Sequence, residues 1–259
     1  MLDGVEWIQS HMMARLGVIT PSSNTVLEPQ TVRLLKPVAD RLTVHFSRVR
    51  VTAIADDPEA RGQFAVAPML DAARLLADAR VHAVLWSGTS GAWEGLDADR
   101  RLVAQIGAST GIPATTSSLA LLDALQVLDV RRYGLVVPYV KPIVAKIEHT
   151  FAEAGYECVA RSFASLTVNW DFAEMSPHEI ADRVREVARS VPDVIVIHCT
   201  NLRGSEVSED LEHELGIPVL DSVVVGVWGA LQLLKIPVPR ARFGRLAETP
   251  ASQAVARDA

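Results

Sequence analysis

Three pairs of similar segments occur in the same order along the chain, and they constrain its fold more than any other feature. The pairs are residues 15–21 (RLGVITP) with 132–138 (RYGLVVP), 81–91 (VHAVLWSGTSG) with 194–204 (VIVIHCTNLRG), and 111–117 (GIPATTS) with 216–222 (GIPVLDS). The separation between partners changes by only a few residues from one pair to the next. Such ordered self-similarity predicts an internal duplication with a unit of about 110 residues.

Short apolar runs alternate with longer helical segments in both halves of the chain. The predicted strands are residues 16–20, 42–48, 81–87, 133–137, 158–165 and 194–198. The predicted helices are residues 26–36, 62–79, 97–108, 118–128, 141–154, 177–190, 208–215 and 223–234. This alternation is typical of βαβ units, and nearly continuous apolar strands indicate that helices cover both faces of parallel sheets.

We therefore predict an α/β fold of two pseudo-symmetric parallel-sheet half-domains, a duplicated Rossmann- or flavodoxin-like arrangement. The active site is expected in the cleft between the halves. The expected units are a first half-domain at 14–116 with a crossover helix at 118–128, and a second at 131–221 with a helix at 223–234 that crosses back. Residues 1–13 are interpreted as a tag remnant or a disordered N-terminus. The tail at 238–259 is expected to pack outside the core or to fray.

Composition excludes several classes of protein. The chain has 259 residues and a net charge of −6, which argues against a surface for nucleic acid or for an anionic membrane. Its longest apolar stretch, residues 223–236, is shorter than a membrane span and is better interpreted as a buried helix. Its two cysteines are too few for a disulfide framework and suggest a reducing, cytoplasmic location.

Four polar loops follow predicted strands at the edge where open α/β sheets bind ligands. They are residues 21–25 (PSSNT), 88–91 (GTSG), 138–139 (PY) and 199–201 (CTN). They are rich in hydroxyl, amide and backbone N–H groups and carry no acidic side chain. Such groups form neutral cradles for anions, so a carboxylate substrate would fit them. The alternative is that these residues only cap helices and stabilise turns.

Cys199 ends a strand in the second half, and the repeat places Gly88 opposite it in the first half. A nearby helix N-terminus is expected to lower the pKa of the thiol. A thiol can exchange a proton with carbon or attack as a nucleophile, although a free cysteine is also a common small core residue. Gly88 is interpreted as leaving space for part of the substrate, as permitting a close backbone approach, or as both. Cys158, at a strand start, is interpreted as structural.

Other chemistries lack a motif. The seven histidines have no metal-ligand spacing, and residues 88–91 lack the glycine spacing and the lysine of nucleotide-binding loops. His198 precedes Cys199 on a strand and therefore faces the opposite side, which disfavours a Cys–His pair. Asp97 and Asp99 begin a predicted helix and are interpreted as capping or dipole residues. We expect neither a metal nor a cofactor.

The duplicated halves and the four loop motifs together resemble the aspartate/glutamate racemase superfamily over residues 15–236. Within it, the likeness is greatest to the branch of maleate cis–trans isomerase and arylmalonate decarboxylase. Racemases of this superfamily place two cysteines on opposite faces of the substrate carbon, one from each half. This chain has Gly88 at the first position and Cys199 at the second, and that single-cysteine pattern resembles the decarboxylase.

The resemblance implies a cofactor-independent decarboxylase of a small malonate-type dicarboxylic acid, with Cys199 protonating the enediolate left by loss of CO₂. Pro21 would form a wall of the pocket. The residues implied to bind the carboxylate and the oxyanion are Thr89, Ser90, Tyr139, Thr200 through its backbone N–H, Asn24 and Asn169. The two asparagines match the isomerase side of the branch. A homodimer or higher homo-oligomer is expected, without nucleic-acid or membrane partners.

Two other functions stay open on the sequence. A maleate isomerase-like cis–trans isomerase or an Asp/Glu-type racemase, acting on a small dicarboxylate or an α-substituted acid, would need a second acid, base or nucleophile opposite Cys199. A non-catalytic dicarboxylate-binding protein would bind its ligand without turnover and would tolerate replacement of Cys199.

Overall fold

Two parallel β-sheets with the same strand order form the frame of the computed structural model, which describes residues 13–249. The first sheet contains β1 (Ala14–Pro21), β2 (Leu42–Val49), β3 (Ala83–Trp86) and β4 (Ala114–Thr116). The second contains β5 (Arg132–Val137), β6 (Glu157–Phe163), β7 (Val194–Ile197) and β8 (Val219–Asp221). Their orders are β2-β1-β3-β4 and β6-β5-β7-β8, and all these pairs are parallel. The predicted duplicated α/β fold is confirmed.

Helices connect the strands and cover the sheets. In the described part of the chain the α-helices are α1 (Leu27–Leu35), α2 (Pro58–Gly62), α3 (Val66–Asp78), α4 (Gly91–Glu94), α5 (Leu96–Thr110), α6 (Ser117–Val127), α7 (Lys141–Glu153), α8 (Asn169–Phe172), α9 (Pro177–Ala188), α10 (Ser208–Leu215) and α11 (Ser222–Leu233). Short 3₁₀ turns cover Lys36–Val38, Arg203–Glu206 and Gly244–Glu248. All eight predicted helices are present with small shifts at their ends, except that the one expected from residue 62 begins at Val66.

The sequence prediction missed two strands, β4 and β8. Each has three residues, follows a Gly-Ile-Pro turn and leads at once into a helix, so it is too short to show a strand pattern. Each pairs with the strand that carries the principal polar loop of its half, β4 with β3 and β8 with β7. They therefore flank the strand ends on which the candidate site is built.

The two halves are joined through helices α6 and α11, and buried apolar residues of both halves form one continuous cluster. A second cluster in the first half lies between α3, α5 and the first sheet. A Cβ on Gly229 of α11 would lie only 2.6 Å from the Ala120 Cβ of α6. Glycine therefore lets the two helices approach closely at this crossing. The apolar stretch that contains Gly229 is a buried helix, as the sequence predicted, and among the described residues no helix is long and apolar enough to cross a membrane.

The C-terminal segment contributes to the core. Phe243 and Leu246 are buried and belong to the shared apolar cluster. The prediction that residues from 238 onward pack outside the core or fray is therefore wrong for residues 243–246. These two apolar residues stand singly in a polar segment, so the sequence pattern does not reveal that they are buried. The interpretation of the N-terminus as a tag remnant lies outside the described residues, apart from Met13.

Candidate active site

The polar loops of the two halves meet where β1, β3, β5 and β7 end. Asn24 Nδ2 after β1 donates to Thr200 Oγ1 after β7, at 3.2 Å, and Thr200 Oγ1 donates to the Ser87 carbonyl after β3. Thr89 Oγ1, after β3, lies 3.0 Å from the hydroxyl oxygen of Tyr139, in the loop after β5. Loops that are far apart in sequence thus form one buried polar network between the halves.

Cys199 lies at the centre of this network and is 2% exposed. Its Sγ accepts a hydrogen bond from the Asn201 backbone N–H at 3.4 Å and interacts with the Tyr139 hydroxyl. Burial, with a smaller contribution from Asp221, raises the thiol pKa to about 12, because the contacts with Tyr139 and Asn201 lower it only in part. The expectation of a lowered pKa is wrong, because desolvation outweighs the local hydrogen bonds. Cys199 is therefore a protonated thiol at neutral pH.

Tyr139 presents its hydroxyl to both Cys199 and Thr89. Its ring is fully buried between Trp93 and Phe172, with ring centroids at 5.1 and 5.6 Å. Burial raises its pKa well above the ordinary value, so the side chain is a neutral phenol. Because edge-to-face packing fixes the ring, the O–H group is held beside the thiol without a large entropic cost.

Asn24 has its amide oriented by the helix that follows it. Its Oδ1 accepts the backbone N–H groups of Val26 and Leu27, at 3.0 and 2.8 Å, at the start of α1. The amide oxygen is therefore committed to the helix, and the NH₂ group must point across the cleft toward Thr200. The alternative interpretation, that these loop residues cap helices, is correct for the Asn24 side-chain oxygen. The Asn24 NH₂ group makes no such cap and belongs to the candidate site. Pro21, the proposed wall, is buried at the end of β1, and its carbonyl accepts from the Asn24 N–H.

Asn169 lies at the start of α8 and contacts the first half through its side chain. Its Nδ2 donates to Ser23 Oγ at 2.7 Å, and its carbonyl accepts from Asn201 Nδ2 at 2.5 Å. Asn201 also accepts the Thr25 N–H at 3.1 Å and so ties three loops together. Asn201 belongs to one of the four predicted binding loops, but the sequence alone assigns it no role. Its position in the repeat, two residues after Cys199 as Ser90 is after Gly88, is the signal that would have singled it out.

Gly88 does not border an empty space. A Cβ on Gly88 would overlap Cζ2 and Cε2 of the Trp86 indole and lie 2.9 Å from Cη2. The interpretation that Gly88 leaves room for the substrate is therefore wrong on the side where a Cβ would project, because the Trp86 indole fills that space. The alternative, a close approach that only glycine permits, describes the position. The indole Nε1 donates to Ser90 Oγ at 3.2 Å, and Ser90 makes no side-chain hydrogen bond to cap α4.

Asp99 has a buried carboxyl group that packs against the loop at residues 88–91. It accepts a hydrogen bond from Thr116 Oγ1 at 2.5 Å, and a Cβ on Gly91 would overlap its carboxylate. Asp99 lies in the first turn of α5, in line with its interpretation as a capping or dipole residue, but α5 turns its side chain inward against residues 88–91. Burial raises its pKa to about 7, and the hydroxyls of Thr116 and Ser118 offset this in part.

Asp99 predicts a pH dependence of stability. Its pKa is about 7 in the fold and near 3.8 when unfolded, so its favourable contribution is complete below pH 4 and is lost as the pH rises to 7. Relative to the native chain, Asp99→Asn is therefore expected to gain stability between pH 4 and pH 8. The gain is about 1.4 kcal/mol for each pKa unit of difference. Denaturant unfolding at both pH values measures it, and parallel pH curves for the two proteins would contradict it.

The remaining candidate groups do not form a metal site or a Cys–His pair. Within residues 13–249 there is no cluster of three or more His, Cys, Asp or Glu side chains suited to a metal ion. His198 packs edge-on to Phe151 at 5.9 Å, and burial lowers its pKa to about 4, so its ring is neutral. Cys158 Sγ donates to the Ala160 carbonyl on β6, in line with a structural role.

Comparisons with known proteins agree with this fold. A family model described as arylmalonate decarboxylase matches residues 59–247. A maleate isomerase of Nocardia farcinica (strain IFM 10152) is 27% identical over 242 residues, which cover 90% of this chain and 94% of that protein. The arylmalonate decarboxylase of Bordetella bronchiseptica is 27% identical over 168 residues, 64% of this chain and 70% of that protein. The crystal structure of maleate isomerase Iso from Pseudomonas putida S16 superposes with a TM-score of 0.83 at 25% identity, covering 93% of this chain and all of that one.

Proposed function

The chain belongs to the arylmalonate decarboxylase family, and from that membership we propose that it is a cofactor-independent decarboxylase of a small malonate-type dicarboxylic acid. In this proposal the substrate binds between the two halves, where hydroxyl and amide groups of both converge. The network described above supplies donors for two carboxylates without placing a carboxylate side chain among them.

The proposed reaction needs one proton from the protein. The bond between the α-carbon and one carboxylate breaks, CO₂ leaves, and the electron pair passes into the remaining carboxylate as an enediolate. The Cys199 S–H proton is transferred to the α-carbon, and the resulting thiolate regains a proton from water. The enediolate is a far stronger base than a thiolate, so a thiol with a pKa of about 12 is an adequate donor. Donors such as the Tyr139 hydroxyl stabilise the developing anion.

Two observations together support the choice of decarboxylation. The buried Cys199 is protonated, and the indole of Trp86 occupies the direction in which a side chain on residue 88 would project. Two-sided proton exchange needs a second acid or base, whereas delivery of one proton to one face needs only Cys199. The geometry therefore favours a single, stereospecific protonation.

The test is the turnover of a disubstituted malonate in D₂O. We expect release of CO₂ and an α-substituted acid of one enantiomer that carries one deuterium at the α-carbon. The same product acid, supplied in optically pure form, should neither racemise nor exchange its α-hydrogen. Binding of the malonate without CO₂ release would contradict the proposal and would favour a non-catalytic dicarboxylate-binding protein.

Cis–trans isomerisation of maleate is the second candidate, and two observations favour it. The chain is 27% identical to the Nocardia farcinica maleate isomerase over 90% of its length, and the amides of Asn24 and Asn169 belong to the polar network. Covalent addition to a double bond would need the Cys199 thiolate, which burial disfavours. Proton NMR of maleate with the protein distinguishes the two functions, because formation of fumarate without CO₂ release would support the isomerase.

A further inference from the structure

Trp86 contacts two residues of the loop at 88–91, Gly88 and Ser90. The indole covers Gly88 on the side where a Cβ would lie, and its Nε1 donates to Ser90 Oγ at 3.2 Å. Beside the ring is a cavity of about 180 Å³, bordered by Trp86 and Ser90 themselves and by residues that include Phe64 and Asp99. The indole is therefore the layer that supports the loop on this side.

The direction of the hydrogen bond between Trp86 and Ser90 is fixed by chemistry. An indole N–H can only donate, whereas a hydroxyl has one donor and two acceptor sites. Ser90 Oγ must therefore accept from Trp86, which leaves its own O–H proton for another acceptor. An oxygen that already accepts a hydrogen bond also becomes a somewhat stronger donor. Because Ser90 does not cap α4, its hydroxyl is not committed to the helix.

We propose that Trp86 is a positioning residue that holds Ser90 as a hydrogen-bond donor to the anion formed at the substrate. This inference rests on the proposed function and extends it, since it gives the reaction a residue that neither the loop motifs nor the repeat singled out. Trp86 acts through Ser90 and through the glycine at position 88, and it exchanges no proton with the substrate.

The variant Trp86→Phe tests this inference, because it keeps an aromatic ring and removes the N–H donor. We expect kcat and kcat/KM to fall together by about tenfold, as for an interaction that strengthens in the transition state. In a Ser90→Ala background the same substitution should have no further effect. A tenfold loss in both backgrounds would show that Trp86 only packs, and would overturn the inference.

Trp228→Phe is the matched control. Trp228 is also a buried tryptophan, and its Nε1 donates to a hydroxyl, Thr249 Oγ1, at 3.3 Å outside the polar network. The Trp228→Phe substitution should lower thermal stability about as much as Trp86→Phe does and leave kcat unchanged. A fall in kcat that matches that of Trp86→Phe would overturn the inference, because loss of any buried indole N–H would then suffice.

Failure of the proposed function has a different signature. If the native chain turns over no malonate, calorimetric titration with malonate itself becomes the readout. Trp86→Phe should then weaken malonate binding about tenfold in the native background and have no effect in the Ser90→Ala background. That result would support the role of Trp86 even if the protein is not a decarboxylase. Equal weakening in both backgrounds, or no malonate binding by the native chain, would overturn it.

Discussion

Cys199→Ala is expected to lower kcat for a disubstituted malonate by about 10²–10⁴-fold, the usual contribution of a positioned general acid. The thiol is the proposed source of the proton that reaches the α-carbon, and it is held by Asn201 and Tyr139 inside a buried network. Alanine removes the proton and leaves the surrounding donors in place, so substrate should still bind. Steady-state CO₂ release and chiral analysis of the product measure the loss.

Cys158→Ala provides the control for that experiment. Cys158 is the other cysteine of the chain, and its Sγ bonds within β6 rather than in the network. Both substitutions should reduce unfolding stability by about 1 kcal/mol, and only the change at Cys199 should affect kcat. A Cys199→Ala variant that retains native activity would eliminate both the decarboxylase and any isomerase that works through this thiol.

Gly88→Ala is expected to destabilise the fold by about 1–3 kcal/mol, the usual effect of inserting a methyl group into a close-packed region. The added Cβ would overlap the Trp86 indole, which is fully buried, so the ring must shift toward the cavity beside it or the loop must move. Gly62→Ala is the matched control, because a Cβ there meets no atom within 4 Å. Denaturant unfolding of both variants measures the difference.

A second substitution separates overlap from other effects of alanine at position 88. In a Trp86→Leu background the smaller side chain leaves space for the Cβ, so Gly88→Ala should become nearly neutral. If alanine costs the same with leucine as with tryptophan at position 86, the overlap is not its cause. A thiol at position 88, the obvious route to a two-cysteine racemase, therefore requires a smaller residue at position 86 as well.

Most of the fold could be predicted from the sequence, because the duplication allows the elements predicted in one half to be compared with those predicted in the other. Residues 15–21 and 132–138 form equivalent central strands, β1 and β5. The loop after β1 contacts the loop after β7, and the loop after β3 contacts Tyr139 after β5. The short strands β4 and β8 were missed because three residues carry no periodic signal. Their position in the sheets depends on pairing with β3 and β7, a tertiary contact.

The candidate site was predictable in its residue types and less so in its energetics. Cys199, Tyr139 and Asn24 lie together, as strand-end positions suggest. The pKa of the thiol was not predictable, because it depends on how completely the neighbouring residues exclude water. The inward turn of Asp99 and the contact of Trp86 with Gly88 likewise depend on side-chain packing between elements, which a pattern of residue types does not contain.

The internal pairing of the site has a consequence for product release. Thr89 pairs with Tyr139, Asn24 with Thr200 and Asn169 with Ser23, so the donors of these three pairs have partners inside the protein. A dianion that draws these donors away must offer them better acceptors in exchange, which only two carboxylates supply in full. Once one carboxylate has left as CO₂, part of the donors can return to their partners inside the protein. The protein itself then competes with the monocarboxylate product for those donors and so favours its departure.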